Sequence, residues 1–310
     1  MKSKAAYTAD LAHVHHVGFG DFARDSAPGL LGLLRAARGD GKRGRQGRHG
    51  RRGRLDRRRT AAPCDLSAIA LAAAEACAKQ GGHVIDLGCG SGIWAAALLR
   101  AGYDVTGVDP SSAMLVLARQ VAPGARFVRA SAYDFDIPAC DAVTAIGEVL
   151  SYLPPGAKAA PSLPRLFRRI AGALRPGGLL VFDLIVTEKR RPMAYRTWRS
   201  GDDWSVLVSV SEQPARRRLV REITTFRRVG ARYRRSHETH VVRICLRAAI
   251  ERMLRQAGFS VRVLRGYGAV RLAPRRLAFC ARKVRNTRKV NREAARSGAK
   301  GSIGFRVADI

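Results

Sequence analysis

The fold is decided by residues 84–119, which read VIDLGCGSGIWAAALLRAGYDVTGVDPSSAMLVLAR. The apolar run 84–87 predicts a buried strand, and the glycines after it predict a tight turn that leads into a helix. A second apolar run, 105–108, ends at Asp109, which lies 21 positions after Gly88. At that separation the acidic end of a second strand can reach a ribose diol, so the stretch predicts a nucleoside-binding site.

The spacing of the glycines separates two kinds of nucleoside site. Gly88, Gly90 and Gly92 form the pattern G-x-G-x-G and follow Asp86, whereas the dinucleotide fingerprint is G-x-G-x-x-G. The sequence therefore favours a ligand that carries an amino acid over one that carries a pyrophosphate. Another Rossmann-like domain with a glycine-bearing turn is the alternative.

Short apolar runs alternate with helical stretches between residues 83 and 184, which is the pattern of βαβ units and a parallel sheet. After Ile185 the pattern changes to β-rich runs separated by Gly or Pro, which predicts an antiparallel insertion. One more helix, 248–258, and two further strands follow. The predicted strands are 84–87, 105–108, 126–129, 142–146, 179–184, 204–211, 218–228, 232–244, 261–264 and 277–281.

Two segments carry a resemblance to a known family. Residues 84–119 resemble the first two motifs of class I S-adenosylmethionine-dependent methyltransferases, and ALRPGGLLVFD at 173–183 resembles the turn before their fifth strand. The resemblance spans about residues 21–283, apart from a basic insertion. It implies an α/β fold, namely a Rossmann-like, doubly wound, mostly parallel seven-stranded sheet with a reversed strand, plus a small antiparallel β insertion.

The same resemblance implies S-adenosyl-L-methionine as the cofactor. Asp86, Gly88 and Gly90 would contact its methionyl end, Asp109 the ribose, and Met114 would lie beside the adenine. Many members have an acidic residue after strand three, but this chain has Ser131 there, with Asp134 three residues later, so the adenine contact stays open. The full expected cofactor-binding set is Asp86, Gly88, Cys89, Gly90, Gly92, Asp109, Pro110, Met114, Ser131, Ala132, Ile146 and Gly147.

By composition and resemblance, the chain divides into six segments. The central ones are a Rossmann-like cofactor-binding core and an antiparallel β insertion that covers the substrate. The expected boundaries are an N-terminal helical cap (1–37), a basic disordered insertion with a short helix (38–82), the core (83–184), the β insertion (185–245), the C-terminal part of the core (246–283) and a basic disordered tail (284–310). Within the cap, an amphipathic helix is predicted in residues 21–37, with leucines at helical spacing after a Pro28-Gly29 start. Tyr7, His15 and Phe19 are candidate lid residues.

Four residues are candidates for a proton acceptor near the transferred methyl group: Glu148, Asp183, Tyr152 and His240. Methyl transfer from a sulfonium is an in-line displacement that needs alignment more than covalent chemistry, and a base helps an amine or hydroxyl nucleophile. Strand alternation places Glu238 and His240 on one face. That pair is interpreted either as part of a substrate pocket or as an ordinary surface pair. No metal site is expected.

The charge of the chain is strongly basic, with 57 Lys and Arg against 24 Asp and Glu and a formal net charge of +33. Such an excess predicts weak, unspecific attraction to nucleic acid through the basic segments, although a coding bias toward Arg explains much of it. Residues 38–59 hold eleven Lys or Arg and no aromatic residue for base stacking. The preferred function is methyl transfer to an N or O nucleophile of a small molecule. The alternatives are an RNA methyltransferase and a non-catalytic cofactor-binding protein.

The location follows from patterns that the sequence lacks. The first thirty residues contain no uninterrupted apolar stretch of the signal-peptide kind, and no apolar run of about eighteen residues is present for a membrane span. The six cysteines show no C-x-x-C pair and are interpreted as reduced thiols. A cytoplasmic enzyme without membrane contact is therefore predicted.

Overall fold

A sheet of seven strands organises the part of the chain that the structure describes. The structure is a computed structural model, and it describes residues 7–38, 81–154, 160–186 and 191–284. Most of the expected basic insertion and of the expected tail, residues 39–80 and 285–310, lies outside the described residues. The short helix predicted before residue 82 also lies outside the described residues.

The strand order of the large sheet is β10-β13-β5-β4-β1-β2-β3. Neighbouring strands from β5 to β3 pair in parallel, whereas β13 runs antiparallel to both β5 and β10. The predicted mostly parallel sheet with one reversed strand is thus confirmed. Its strands are β1 (His83–Leu87), β2 (Asp104–Asp109), β3 (Arg126–Arg129), β4 (Cys140–Ala145), β5 (Leu174–Ile185), β10 (Phe259–Leu264) and β13 (Arg276–Lys283).

The order of the strands brings two carboxylates to one edge. β1 lies between β2 and β4, so the carboxyl ends of β1 and β2 are adjacent. Ligands of open α/β sheets bind at this edge, beside the point where the strand order reverses. Helices α3 (Ile93–Arg100), α4 (Ser112–Val121), α5 (Leu163–Ala173) and α6 (Arg247–Gln256) complete the core.

The helices begin where their sequences provide caps and bury their apolar stripes. The Oγ of Ser111 accepts a hydrogen bond from the Met114 amide at the start of α4, and Ser162 does the same for Arg165 in α5. In α5 the buried positions follow helical spacing, with Leu163, Leu166, Phe167 and Ile170 facing the sheet.

Two helices form the N-terminal region, α1 (Ala9–Phe19) and α2 (Asp21–Arg38). Helix α2 covers the predicted amphipathic helix 21–37, but the Pro28-Gly29 pair expected at its start lies inside it. A proline removes one backbone hydrogen bond from a helix. Helix α2 nevertheless continues through Pro28, because residues on both sides of the proline, Ser26 and Leu30, are buried. Gly29 lies so close to the backbone of Tyr267 that an added Cβ would fall 2.3 Å from its carbonyl carbon.

The antiparallel insertion is a four-stranded sheet, one strand more than the sequence pattern predicts. Its order is β6-β7-β8-β9, with β6 (Ala194–Ser200), β7 (Trp204–Gln213), β8 (Arg218–Val229) and β9 (Arg232–Arg243). Every residue of β6 is exposed, so the strand shows no burial alternation that the sequence could reveal. A small hairpin of β11 (Gly266–Tyr267) and β12 (Val270–Arg271) precedes β13.

One face of the four-stranded sheet packs on helix α1. Leu11 and Val14 of α1 form a buried cluster with Trp204, Val206 and Ile223 from the sheet. The guanidinium of Arg234 pairs with the buried carboxylate of Asp10 at the start of α1. Helix α1 and the insertion therefore form a joint cover beside the carboxyl edge of the large sheet.

Candidate active site

The glycine-rich turn after β1 has the backbone geometry that its sequence requires. Gly88, Gly90 and Gly92 have φ angles of 68°, 53° and 78°, in the left-handed region that side chains disfavour. A Cβ on Gly88 would lie 2.5 Å from the side chain of Val149, whereas one on Gly90 would meet no atom within 4 Å. Gly90 therefore borders open space, in which a ligand could lie, and Gly88 lets the chain pass close to the segment after β4.

Two buried carboxylates flank this turn. Asp86 is 2% exposed, and its Oδ1 accepts a hydrogen bond of 2.7 Å from Thr144. The carboxylate of Asp109 is 8% exposed and accepts hydrogen bonds from the amides of Gly90, at 3.0 Å, and Ser111, at 2.8 Å. No cation pairs with either carboxylate among the described residues.

Burial without a cation shifts the protonation of both groups. Burial raises the pKa of Asp86 to about 7, against the opposing hydrogen bond from Thr144 and with a further increase from the charge of Asp109. Burial also raises the pKa of Asp109 to about 6, although the Ser111 and Gly90 amides act in the opposite direction. A cationic ligand would remove this penalty, because an opposite charge favours the ionised carboxylate.

These features fit S-adenosylmethionine, which carries an ammonium and a sulfonium. Asp86 and the open backbone of the turn would hold the methionyl end, and Asp109 would hold the ribose. Bound there, S-adenosylmethionine would supply the electrophilic methyl group. The residues of the chain supply the opposite charges and the backbone space that this cofactor needs.

The expected cofactor residues divide into those that line the cavity and those that do not. The cavity has a volume of about 550 Å³. Gly92, Ser131 and Ala132 lie outside its lining; a Cβ on Gly92 would instead lie 3.0 Å from the Cα of Ala118. Asp134 is exposed. The expected residues that line the cavity are Asp86, Gly88, Cys89, Gly90, Asp109, Pro110, Met114, Ile146 and Gly147.

Asp183, a candidate proton acceptor, is fully buried at the end of β5. Its two carboxylate oxygens accept hydrogen bonds from the consecutive amides of Gly147, at 2.8 Å, and Glu148, at 2.9 Å. The hydroxyl of Tyr267 donates a third bond at 3.0 Å. Asp183 therefore holds the backbone turn after β4, in which Glu148 adopts a left-handed φ of 64°.

Glu148, the second candidate, is bound by two arginines that sequence reasoning missed. Arg221 donates to its Oε2 at 2.7 Å, and Arg276 donates through Nε to its Oε1 at 2.7 Å. Burial would raise the pKa of Glu148, but the two guanidinium groups hold it below its usual range. Arg221 and Arg276 also line the cavity, so this edge is not purely acidic. They lie 73 and 128 positions from Glu148, and no local pattern could have paired them.

The hydroxyl groups of Tyr152 and Tyr7 lie beside the cluster formed by Glu148 and its two arginines. Their hydroxyl oxygens lie 3.0 Å apart, and Arg221 donates to Tyr152 at 3.4 Å. The expected lid residues Tyr7, His15 and Phe19 all line the cavity. Burial lowers the pKa of His15 to about 4, with smaller contributions from His16 and His240, so its ring is neutral near pH 7.

Helix α1 is attached to the cofactor side by polar contacts. The hydroxyl of Ser111 donates to the Tyr7 carbonyl at 2.7 Å, and the Nδ1 of His16 lies 2.9 Å from the hydroxyl of Ser91 in the glycine-rich turn. Helix α1, which contacts Ser91, and Tyr7 just before it, which contacts Ser111, together cover the two ends of the predicted nucleoside site.

His240 and Glu238 lie on the inner face of β9, the face that packs on α1. The Nε2 of His240 is 2.9 Å from the Oε2 of Glu238. His240 lines the cavity and is 3% exposed, so the pair is not a surface pair. His237 lies on the opposite, exposed face, where it pairs with Glu222 at 2.8 Å.

In the part of the chain that the structure describes, no helix has the length and apolar character needed to cross a membrane.

Comparisons with known proteins agree with this geometry. Residues 84–178 match the family model described as "Methyltransferase domain". A ubiquinone biosynthesis O-methyltransferase of Alkalilimnicola ehrlichii is 34% identical over 37% of this chain, and the match spans 45% of that protein, less than half of its length. The putative methyltransferase YqeM of Bacillus subtilis is 27% identical over 60% of this chain and 77% of its own length.

The fold is shared with solved methyltransferase structures. The sugar N-methyltransferase KedS8 from Streptoalloteichus aligns with a TM-score of 0.54 and 20% identity, covering 76% of this chain and 99% of that one. At this level of identity the likeness concerns the fold. The sequence match identifies a methyltransferase domain at residues 84–178, and the sheet with its one reversed strand has the fold of solved S-adenosylmethionine-dependent methyltransferases.

Proposed function

We propose that this protein transfers a methyl group from S-adenosylmethionine to a nitrogen or oxygen nucleophile of a small molecule. The proposal rests on one observation, a cavity of about 550 Å³ that joins the Asp86 turn to the inner face of the four-stranded sheet. That volume is in the range of small-molecule sites, about 300–1,000 Å³. The names of relatives that act on small molecules support the same acceptor class.

The chain's own residues would bind, orient and exclude water. Asp86 and Asp109 would fix the methyl donor, while α1 and the sheet would cover the reacting atoms. Correct alignment alone can lower the barrier by about 7–11 kcal/mol, so no covalent residue is needed. Val206, Val208 and Ile223 would give the acceptor an apolar wall.

The test combines binding and transfer in the full-length protein. Calorimetry should detect binding of S-adenosylmethionine, and a donor with a labelled methyl group should pass label to small molecules in a metabolite extract. Binding without any transfer would favour a non-catalytic cofactor-binding protein. A preference for a nicotinamide dinucleotide would reject the proposed cofactor site.

An RNA methyltransferase is the second candidate, because the formal charge of +33 attracts polyanions. Salt-resistant, position-specific labelling of RNA in the same assay would support it over the small-molecule proposal. An RNA enzyme needs phosphate contacts that position the target base at the methyl group.

A further inference from the structure

One ring nitrogen in the cavity wall has no partner. The Nδ1 of His240 is buried and makes no hydrogen bond among the described residues, although His240 lines the cavity. Leaving a buried polar atom unsatisfied costs about 1–3 kcal/mol, so such an atom calls for an explanation. A ligand that donates a hydrogen bond to Nδ1 would supply one.

The other ring nitrogen is fixed by Glu238. The carboxylate of Glu238 also accepts hydrogen bonds from the amides of Tyr7, at 2.7 Å, and Thr8, at 2.8 Å. Burial would raise the pKa of Glu238, but the hydrogen bonds from His240, Thr8 and Tyr7 hold it below its usual range. An ionised carboxylate only accepts hydrogen bonds, so Nε2 of His240 carries the proton and Nδ1 of the neutral ring keeps its lone pair.

The remaining candidates are already engaged. The oxygens of Asp183 hold two backbone amides and Tyr267, and those of Glu148 hold Arg221 and Arg276. The hydroxyl of Tyr152 contacts Tyr7 and Arg221. Among the four candidates, counting contacts within the described part of the chain, only His240 retains a basic atom without a hydrogen-bond partner.

The charges around the cavity indicate what kind of acceptor fits. The carboxylates in its described lining are Asp86 and Asp109, at the cofactor end, and Glu148, which is neutralised by two guanidinium groups. An ammonium-bearing acceptor would face Arg221 and Arg276 without an unpaired carboxylate beside them. A neutral acceptor avoids that repulsion.

We infer that His240 is the general base of this site, that Glu238 is its positioning residue, and that the acceptor is a hydroxyl group on an apolar body. The inference rests on the proposed methyl transfer. The acceptor oxygen forms the bond to the methyl carbon, and the carbon–sulfur bond breaks with its electron pair going to sulfur. The hydroxyl proton passes to Nδ1 of His240 and later to water, while Glu238 stabilises the imidazolium.

The first experiment determines which ring nitrogen of His240 carries the proton, and it does not require enzyme turnover. Nitrogen-15 NMR of histidine-labelled protein at neutral to mildly basic pH should show His240 with Nε2 protonated and Nδ1 bare. The His240→Gln variant assigns the signal. A protonated Nδ1 in the neutral ring would overturn the inference, as would a Glu238→Ala variant, which lacks the acceptor, that leaves the tautomer unchanged.

The second experiment uses a matched pair of variants on the same strand. His240→Gln should lower kcat by about 10²–10⁴-fold, the usual contribution of a general base, with unchanged calorimetric affinity for S-adenosylmethionine. His237→Gln removes the exposed His237–Glu222 pair from the other face and should leave kcat unchanged. Equal activity of the two variants would reject His240 as the base. Added imidazole should partly restore His240→Ala, which a purely structural role would not allow.

The pH profile tests the same step. In the wild type, the dependence of kcat/KM on pH should include a limb that increases with pH, and His240→Gln should lose that limb. The ionisable groups around the ring are Glu238 from its own strand, Arg221 opposite it on β8, Tyr7 and His15 from the N-terminal region, and Tyr152. Arg221→Gln should shift the limb without removing it.

The chemical class is read from the product. With a donor carrying a carbon-13 methyl group and a metabolite extract, label should appear as methyl ethers, which chemical shift separates from methylamines and methyl esters. Methylamines as the main product would overturn the hydroxyl assignment. If cofactor binds but no product of any class forms, the proposed function fails, while the NMR tautomer still judges His240 separately.

Discussion

Asp109 gives the most direct test at the scale of single residues. Its carboxylate lies beside the glycine-rich turn, and on the proposed assignment Asp109→Ala would remove charge-assisted hydrogen bonds to the cofactor ribose. The affinity for S-adenosylmethionine should fall by about 1.5–3 kcal/mol, which calorimetry can measure. Asp104→Ala, at the exposed start of the same strand, is the matched control and should bind normally. Equal affinities for the two variants would contradict the ribose assignment.

Asp86 predicts a pH dependence whose sign follows from its raised pKa. The folded protein binds this proton more tightly than the unfolded chain, so the carboxyl stabilises the fold most below about pH 4. That stability is lost as the pH rises through about 7. A shift from 3.8 to about 7 corresponds to at most about 4 kcal/mol.

Asp86→Asn should therefore make the cofactor-free protein more stable at pH 8 and leave its stability almost unchanged at pH 4. The same variant should lose affinity for the cofactor, because the asparagine carries no charge for the ammonium. Urea unfolding at the two pH values and calorimetry at pH 8 measure both effects. A cofactor-free variant that is less stable than the wild type at pH 8 would show that Asp86 is not penalised by burial.

At the residue scale, the sequence predicted which residues lie together at the glycine-rich turn better than it predicted the contacts around Glu148. Asp86, Gly88 and Asp109 lie within one short βαβ stretch, where spacing fixes their geometry. Arg221 and Arg276 come from distant strands, so only the tertiary fold brings them to Glu148. The hydrogen-bond partners of Glu148 and Asp183 could not be predicted from the sequence for the same reason.

Helix α1 offers a test at the scale of the element. Gly18 lies against the ring of Trp204, and an added Cβ would fall 2.5 Å from its Cη2. Gly18→Ala should destabilise the packing of α1 on β7 by about 1–3 kcal/mol, since overpacking forces the ring or the helix to move. Thermal unfolding measures this cost, and cofactor affinity should weaken because α1 contacts Ser91 in the glycine-rich turn and Tyr7, just before α1, contacts Ser111.

Gly32→Ala in α2 is the matched control for that prediction. A Cβ at Gly32 would meet no atom within 4 Å, and the substitution should stabilise the helix by about 1 kcal/mol through propensity alone. If Gly18→Ala stabilises the protein to the same extent, α1 does not pack on Trp204 as described.

The elements that sequence reasoning found are those with a burial pattern. β7 alternates between buried Val206 and Val210 and outward positions, and α5 buries a continuous stripe. β6 is exposed at every position and pairs only with β7, so its sequence carried no such signal. The sequence indicated a helix start at Pro28, whereas Pro28 lies inside α2, because packing on both sides of the proline outweighs its local preference.

At the scale of the whole molecule, the feature to explain is the large positive charge. The family match ends at residue 178 and begins at 84, so residues 39–59 and 285–310 lie outside it. Those two segments contain 17 Lys or Arg and four Asp or Glu, and deleting both lowers the formal charge from +33 to +20. Attraction to phosphates grows with the number of cationic contacts and falls steeply with salt.

The protein should therefore bind RNA weakly through these segments, with an affinity that decreases linearly in log–log form as salt increases. Deleting both segments should remove most of that binding and flatten the salt slope, while methyl transfer to a small acceptor and cofactor affinity stay within about twofold. A variant of the same length with every Lys and Arg of 39–59 and 285–310 changed to Gln separates charge from chain length. Fluorescence anisotropy with a labelled single-stranded RNA at several salt concentrations gives the slope for all three proteins. RNA binding that survives both changes would place the contacts outside these two segments, and salt-resistant RNA methylation would favour the RNA enzyme.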